Sequence, residues 1–266
     1  MLASVSGSSE LWSMPIPEVA TQHSTIVPGD RETKRAFVRG MFSEIAPRYD
    51  FLNHLLSLNI DRRWRRRAIA LLSWENAPRA TYLDLCAGTL DVAATLAKQS
   101  GFAGQVVGAD FAEPMLRAGR DKITSRVAPV TADALDLPLA TGSLAGAIVA
   151  FGIRNVSDLD AALREVCRVL VPGGRFVILE FTTPRNPAMR SFYHLYFHYV
   201  LPLVGGIVSG NRTAYRYLPT SVAQFPAEEE LAVRMRAAGF SNVEWTSLSF
   251  GIAAIHVGRK ADPIRQ

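Results

Sequence analysis

Between residues 31 and 72 apolar side chains recur at three and four residue steps. Phe37, Met41, Phe42 and Ile45 form one run, and Leu52, Leu55, Leu56 and Trp64 a second, with a break around Pro47. That period belongs to amphipathic helices, and a proline between two such runs separates them. From residue 81 the pattern changes to short, almost wholly apolar runs that alternate with helical stretches. The runs 81–86 (TYLDLC), 105–110 (QVVGAD), 128–131, 146–151 (GAIVAF) and 174–181 (GRFVILEF) read as strands, and 91–99, 113–125 and 157–170 as the helices between them. A helix is further expected over 227–238.

Strands apolar on both faces and joined through helices imply a parallel sheet covered on both sides, with right-handed crossovers. The last two runs, 242–248 and 252–259, are separated only by Ser249, Phe250 and Gly251. Three residues cannot hold a crossover helix, so these strands pair antiparallel. The expected fold is α/β and Rossmann-like, a seven-stranded, mostly parallel sheet with an antiparallel C-terminal hairpin. That hairpin distinguishes a class I S-adenosylmethionine-dependent methyltransferase from a dinucleotide-binding dehydrogenase.

Length and composition add modest limits. A chain of 266 residues suits a single domain, here 31–266, with a helical extension at 31–78 and a lid-like insertion at 185–225. Residues 1–30 carry no positive region followed by an apolar one, which excludes an ordinary signal peptide, and they read as a disordered tail. Lys and Arg exceed Asp and Glu by 29 to 24, a net charge of +5 that is compatible with several anionic partners. The basic residues are dispersed and no RNA-binding appendage is evident, so nucleic acid is not an expected partner. Cys86 and Cys167 form no metal-binding pattern, and a reducing cytoplasm is the simpler setting. The uncharged stretch between Arg190 and Arg212 approaches the length of a membrane span, but His194, His198, Pro202 and the Gly205-Gly206 pair interrupt it.

In open parallel sheets ligands bind beyond the carboxyl ends of the strands, where strand order reverses. After the first strand come Ala87, Gly88 and Thr89, a tight turn whose backbone N–H groups and following helix suit a carboxylate such as the methionine end of S-adenosylmethionine. Asp110 ends the second strand, either accepting both ribose hydroxyls or capping the next helix. Asp133 and Ala134 follow the third, where they would hold an adenine edge or form a plain loop. Gly152, Arg154 and Asn155 stand behind the fourth, at the expected reaction centre. Arg62, Arg63, Arg65, Arg66 and Arg67 around Trp64 read as a solvated helix face or as an aid to holding an anionic membrane surface.

These motifs together are similar to the ubiquinone/menaquinone biosynthesis C-methyltransferases, the UbiE/MenG family, from about residue 41 to residue 260. The resemblance is carried by MFSEIAPRYDFLNHLLSLNIDRRWRR, YLDLCAGTLDVA, FGIRNVSDLDAALREVCRVLVPGGRFVILEF, YRYLPTSVAQFP and FGIAAIHVGRK. It implies S-adenosyl-L-methionine as cofactor, held at Gly88, Thr89, Asp110, Asp133 and Ala134. Three positions depart from the family: glycine is usual where Ala87 and Leu90 stand and serine is frequent where Ala150 stands, and Leu90 is expected to bring a bulky side chain beside the cofactor carboxylate.

The implied reaction is methylation of a ring carbon of a prenylated quinol. Arg154 would stabilise the phenolate, Asn155 would position cofactor or ring, and Tyr49, Asp50, His194 and His256 are lesser candidates for proton transfer. The aromatic stretch 192–208 suits an apolar groove and lid for a prenyl tail, or a dimer face in a homo-oligomer. Peripheral contact with the inner face of a membrane fits such a substrate. The competing readings are another small aromatic acceptor, or a non-catalytic subunit of a quinone-biosynthesis assembly.

Overall fold

The computed structural model describes residues 30–50, 57, 59–196 and 212–262. The expected tail and most of the 192–208 stretch lie outside the described residues. Two helices open the chain, α1 (Arg31–Ile45) and α2 (Ile60–Leu71), with a 3-10 turn at Ala46–Arg48 that contains Pro47. Asp30 starts α1 by accepting a hydrogen bond from the Thr33 amide (2.8 Å), satisfying one donor of the first turn. Val38, Met41 and Ile45 are the buried residues of α1; Met41 and Ile45 belong to the expected period, whereas Phe37 and Phe42 are half-buried beside them.

The sheet follows as β1 (Thr81–Leu85), β2 (Gln105–Asp110), β3 (Val127–Thr131), β4 (Leu144–Ala150), β5 (Leu170–Phe181), β6 (Phe240–Leu248) and β7 (Ala253–Lys260), in spatial order β3-β2-β1-β4-β5-β7-β6. The pairings from β3 to β5 are parallel, whereas β7 runs antiparallel between β5 and β6. Between them lie α3 (Asp91–Ala97), α4 (Glu113–Ala118), α5 (Leu159–Val169), α6 (Pro187–Leu195), α7 (Arg212–Ala223) and α8 (Glu228–Ala237). The fourth helix is shorter than the expected 113–125: it ends at Gly119 and continues as a 3-10 turn at Arg120–Lys122. No described helix is long and apolar enough to cross a membrane.

Side-chain alternation explains why the central strands read as unbroken apolar runs. Val177 and Leu179 of β5 pack with Trp64, Ile69 and Leu96 on one face, while Phe176 and Ile178 pack with Leu163, Val166 and Met235 on the other. Each face buries its own core, so neither can be polar. A third cluster joins Val38, Met41 and Ile45 of α1 to Tyr193, Tyr217 and Val222, seating the N-terminal helix against the chain that follows β5.

The turn after β1 departs from expectation at Leu90. It takes a left-handed conformation (φ 65°) that costs a side-chain-bearing residue about 1 kcal/mol. Its side chain is fully buried in the core beneath the turn, away from the ligand crevice, in a hollow left by Gly108 on β2. A Cβ at residue 108 would collide with Leu90 Cδ2. Leu90 also occupies the cap position of α3 without a side-chain hydrogen bond. Asp84 of β1 supplies one instead, its Oδ2 accepting the Ala93 amide at 2.9 Å.

Two outcomes follow. Gly108→Ala should destabilise the fold by about 1–3 kcal/mol through overpacking, yet cost little in a Leu90→Ala background. Urea denaturation of the four proteins tests this, and additive losses would rule out the contact. Burial pushes the Asp84 carboxyl up to about 7 from 3.8, against the Ala93 hydrogen bond and Arg65. A raised carboxyl favours the fold at low pH and loses that contribution as pH climbs from about 4 to about 7. Asp84→Asn does not titrate, so the dependence of Tm on pH should flatten across that window; an unchanged profile would mean that the carboxyl ionises freely.

Candidate active site

Strand order reverses between β1 and β4, and a cleft opens there, at the carboxyl ends of β1 to β4. Asp110 stands at its centre, 7% exposed. Its Oδ2 accepts the Gly88 amide and its Oδ1 the Ala112 amide, each at 2.8 Å. Burial raises this carboxyl and the backbone donors oppose the rise. Asp110 is not the cap of the next helix, a position held by Ala112 without a side-chain hydrogen bond; each of its oxygens holds one backbone amide and retains a second lone pair. Gly88 takes a left-handed backbone (φ 52°), and a Cβ there would come 3.3 Å from Met115 Cε, narrowing the cleft floor.

At the β3 end Ala134 is buried, and Asp133 Oδ1 accepts the Leu135 amide at 3.0 Å. Asp133 Oδ2 pairs with Arg35 of α1 at 2.5 Å, and Arg35 itself lines the cleft. Lys34 donates to the Val156 carbonyl (2.8 Å) and Arg31 pairs with Asp158 (2.8 Å). Three basic residues of α1 are therefore fastened to the loops after β3 and β4.

Thr89 lies beside the cleft rather than in its wall, in an adjoining recess with Asp50 and Pro114. Its hydroxyl donates to Asp50 Oδ1. Lys122 bridges Asp50 Oδ2 (2.5 Å) and Asp91 Oδ1 (2.6 Å), and Arg65 reaches Asp91 Oδ2 at 3.4 Å. Burial lowers the affinity of Lys122 for its proton, but the two carboxylates outweigh it and hold the ammonium charged. Tyr49 does line the cleft, with its ring edge-on to Phe42 at 6.0 Å.

Behind β4 the predicted polar pair splits. Asn155 is in the cleft wall, 8% exposed, and its Oδ1 has no hydrogen-bond partner among the described residues. Arg154 turns away into an adjoining cavity with Tyr217 and Ser221. Its Nη1 donates to Glu180 Oε1 (2.7 Å) and to the Phe151 carbonyl (2.5 Å), and its Nε to Ser221 Oγ (3.2 Å). The guanidinium also lies 5.7 Å from the Phe181 ring centroid. Burial opposes the charge on Arg154, but Glu180 prevails and raises its pKa further. The Tyr193 and Tyr217 phenols near this pair are pushed upward by burial and so stay protonated.

Several participants had no assigned role in the sequence reading: Glu180, Ser221, Tyr217, Arg35 and Lys122. Ser221 and Tyr217 lie inside the quoted YRYLPTSVAQFP, so the signal was present without a partner to explain it. Glu180 was hidden in an otherwise apolar strand. His256 sits outside the cleft, buried under Trp245 with its Nε2 2.9 Å from the Glu228 carbonyl. The side chain of His194 lies outside the described residues.

Comparison with known proteins accords with this arrangement. The model of the ubiE/COQ5 methyltransferase family matches residues 30–260. A demethylmenaquinone methyltransferase of Thermus thermophilus is 53% identical over 221 residues, covering 82% of this chain and 99% of that protein. The ubiquinone/menaquinone biosynthesis C-methyltransferase UbiE of Geobacter sulfurreducens is 45% identical, over 84% of this chain and 88% of its own. Among solved structures, the [4+2]-cyclase SpnF superposes with a TM-score of 0.64 at 17% identity, over 89% of this chain and 98% of that one. A SAM-dependent methyltransferase of Thermotoga maritima gives 0.54 at 20% identity, over 82% and 99%. Such distant likenesses establish the fold alone, and a cyclase among them shows why chemistry must be read from the site. With the family model spanning nearly all of the described chain, and relatives this similar along most of their length, the protein belongs to the ubiE/COQ5 methyltransferase family.

Proposed function

We propose that this enzyme transfers the methyl group of S-adenosyl-L-methionine to a ring carbon of a prenylated quinol, of the demethylmenaquinol type or its ubiquinone-pathway equivalent. The observation that carries the reading is the cleft that runs from the carboxylates of Asp110 and Asp133 to the unpartnered Asn155 Oδ1, with the Arg154–Glu180 pair immediately behind it. The family and the names of its relatives supply the acceptor class.

The residues fit this cofactor. Asp110 would take the ribose hydroxyls, Asp133 and Ala134 the adenine edge, and the Gly88 turn the amino-acid end. Asp50 and Lys122 fix Thr89 there, which makes Asp50 a positioning group rather than a proton carrier. When bound, the cofactor supplies an electrophilic methyl group on a positively charged sulfur. The buried Asn155 Oδ1 needs a donor, and a bound ligand is the natural source of one.

Ring carbon is a weak nucleophile until the neighbouring hydroxyl ionises, and a free phenol holds its proton to a pKa of about 10. Arg154 supplies the compensating charge. Glu180, Ser221 and the Phe151 carbonyl occupy its Nη1 and Nε, while Nη2 has no hydrogen-bond partner among the described residues. From the cavity behind the cleft that nitrogen would offset the charge on the ring oxygen, whose proton passes to solvent at the open side of the cleft. Phe151, Phe181 and Trp64 pack around this point and keep it dry, which strengthens the interaction. Tyr49, on the cleft side, orients the ring. The enzyme on this reading works in the cytoplasm and meets its acceptor at the bilayer surface.

Calorimetric titration with S-adenosylhomocysteine, followed by labelled methyl transfer to reduced demethylmenaquinone, tests the proposal directly. Binding with transfer is expected; binding without transfer would overturn the acceptor, and no binding would overturn the cofactor. Arg154→Ala should cut kcat by about 10²- to 10³-fold while changing S-adenosylhomocysteine affinity by less than about threefold. Equal losses in both would remove Arg154 from the chemistry. Arg154→Lys, which keeps the buried charge beside Glu180, separates loss of the donor from loss of the fold.

A further inference from the structure

Six large apolar side chains stand exposed among the described residues, and three of them gather at one end of the sheet. Phe250 is 81% exposed at the tip of the turn between β6 and β7, in a left-handed conformation (φ 60°). Ile60, 43% exposed, opens α2 one turn before Trp64, whose ring meets Phe181 edge-on at 6.3 Å. Leu195, 57% exposed, closes α6 between Tyr193 and Tyr196, which belong with Phe181 and Ile252 to one cluster. Each is thus anchored by a neighbour in sequence to the end of β5, beside the mouth of the cleft. The other three, Ile123, Val233 and Trp245, are on the 3-10 turn after α4, on α8 and on β6, and are ordinary isolated exposures.

The Phe250 turn is held rather than loose. The Thr182 amide donates to the Ile252 carbonyl (2.9 Å) and its hydroxyl to the Gly251 carbonyl (2.7 Å), tying the tip to the chain leaving β5. On α2 the exposed charge is of one sign. Arg62, Arg63, Arg66 and Arg67 are exposed on α2 and make no ion pair among the described residues, and Arg62 and Arg63 follow Ile60 most closely along the helix. The one acid of that helix, Asp61, is buried and bound to Ser57 and Arg65. Arg185, beside the turn, is 71% exposed and pairs with the buried Glu228 at 3.2 Å.

We propose that this end of the molecule docks on an anionic lipid bilayer, with Phe250 inserted to the acyl boundary, Ile60 and Leu195 beside it, and Arg62 and Arg63 on the headgroups. Separate exposed apolar side chains with the arginines of α2 beside them suit a deformable surface of negative charge better than a shaped protein partner. The inference deepens the proposed function, since its purpose rests on an acceptor with an apolar tail. Docked in this way, the cleft opens toward the membrane, and a tailed ring enters without its tail crossing water.

Sedimentation with vesicles, neutral or containing about 30% anionic lipid, tests the surface. The protein should bind the anionic vesicles only, less strongly at about 0.5 M salt. Phe250→Asn, which suits the left-handed backbone, should lower the vesicle partition coefficient about tenfold with an unchanged Tm. Arg62→Glu with Arg63→Glu should lower it further. No binding by the parent protein, or full binding by both variants, overturns the proposal; loss with the arginine variant but not with Phe250→Asn overturns insertion and leaves a purely electrostatic contact, as with an acidic protein. Methyl transfer to a short-tailed quinol in solution should be unaffected by Phe250→Asn, whereas transfer to a vesicle-borne acceptor should fall with binding. If the parent methylates neither acceptor, the function is refuted, and sedimentation still decides the docking.

Discussion

The ion pair of Arg154 and Glu180 is the constraint around which the active end of this molecule is arranged. Both side chains are almost wholly removed from water, at 7% and 2% exposure. Burying two charges costs several kcal/mol per ion before their attraction and hydrogen bonds offset it. Partners must therefore come from every side, and they do: the Phe151 carbonyl just after β4, the Phe181 and Arg154 amides onto Glu180, Ser221 from α7 and the Phe181 ring. Removing any one would leave part of the cost uncovered. The geometry behind the cleft is in this sense set by solvation, and Nη2 of the arginine has no hydrogen-bond partner among the described residues.

A second set of charges makes the N-terminal extension part of the site. Arg31, Lys34 and Arg35 reach from α1 to the loops after β3 and β4, and Asp50 reaches the turn after β1. These contacts are polar and partly exposed, unlike the apolar seams that hold the sheet, and each is individually weak. Their sum seats α1 across one side of the cleft while leaving the central sheet to fold around its own cores. The extension completes a binding surface that the sheet alone leaves open.

Much of this was legible in the sequence because the relevant forces are periodic. The seven strands, their order of appearance and the closing antiparallel pair follow from runs of apolar residues and from the shortness of the Ser249–Gly251 link. Asp110 was legible because its position at a strand end suffices. The division between Asn155 and Arg154 was not, since adjacent residues on a 3-10 turn point in different directions and only the distant Glu180 and Ser221 decide which one faces inward. Nor could the destination of the Leu90 side chain be read locally: it depends on the absence of a side chain eighteen residues later.

That pairing of Leu90 with Gly108 bears on how such a turn can change by descent. A leucine at 90 is admissible only over a glycine at 108, whereas a glycine at 108 beneath a small residue leaves a void without a collision. Of the two steps that could lead from a glycine turn to this one, losing the side chain on β2 first is passable, and gaining the leucine first is obstructed. The constraint is set by sterics in the core, away from the cleft, so an exchange at either of the two positions has to reckon with the other.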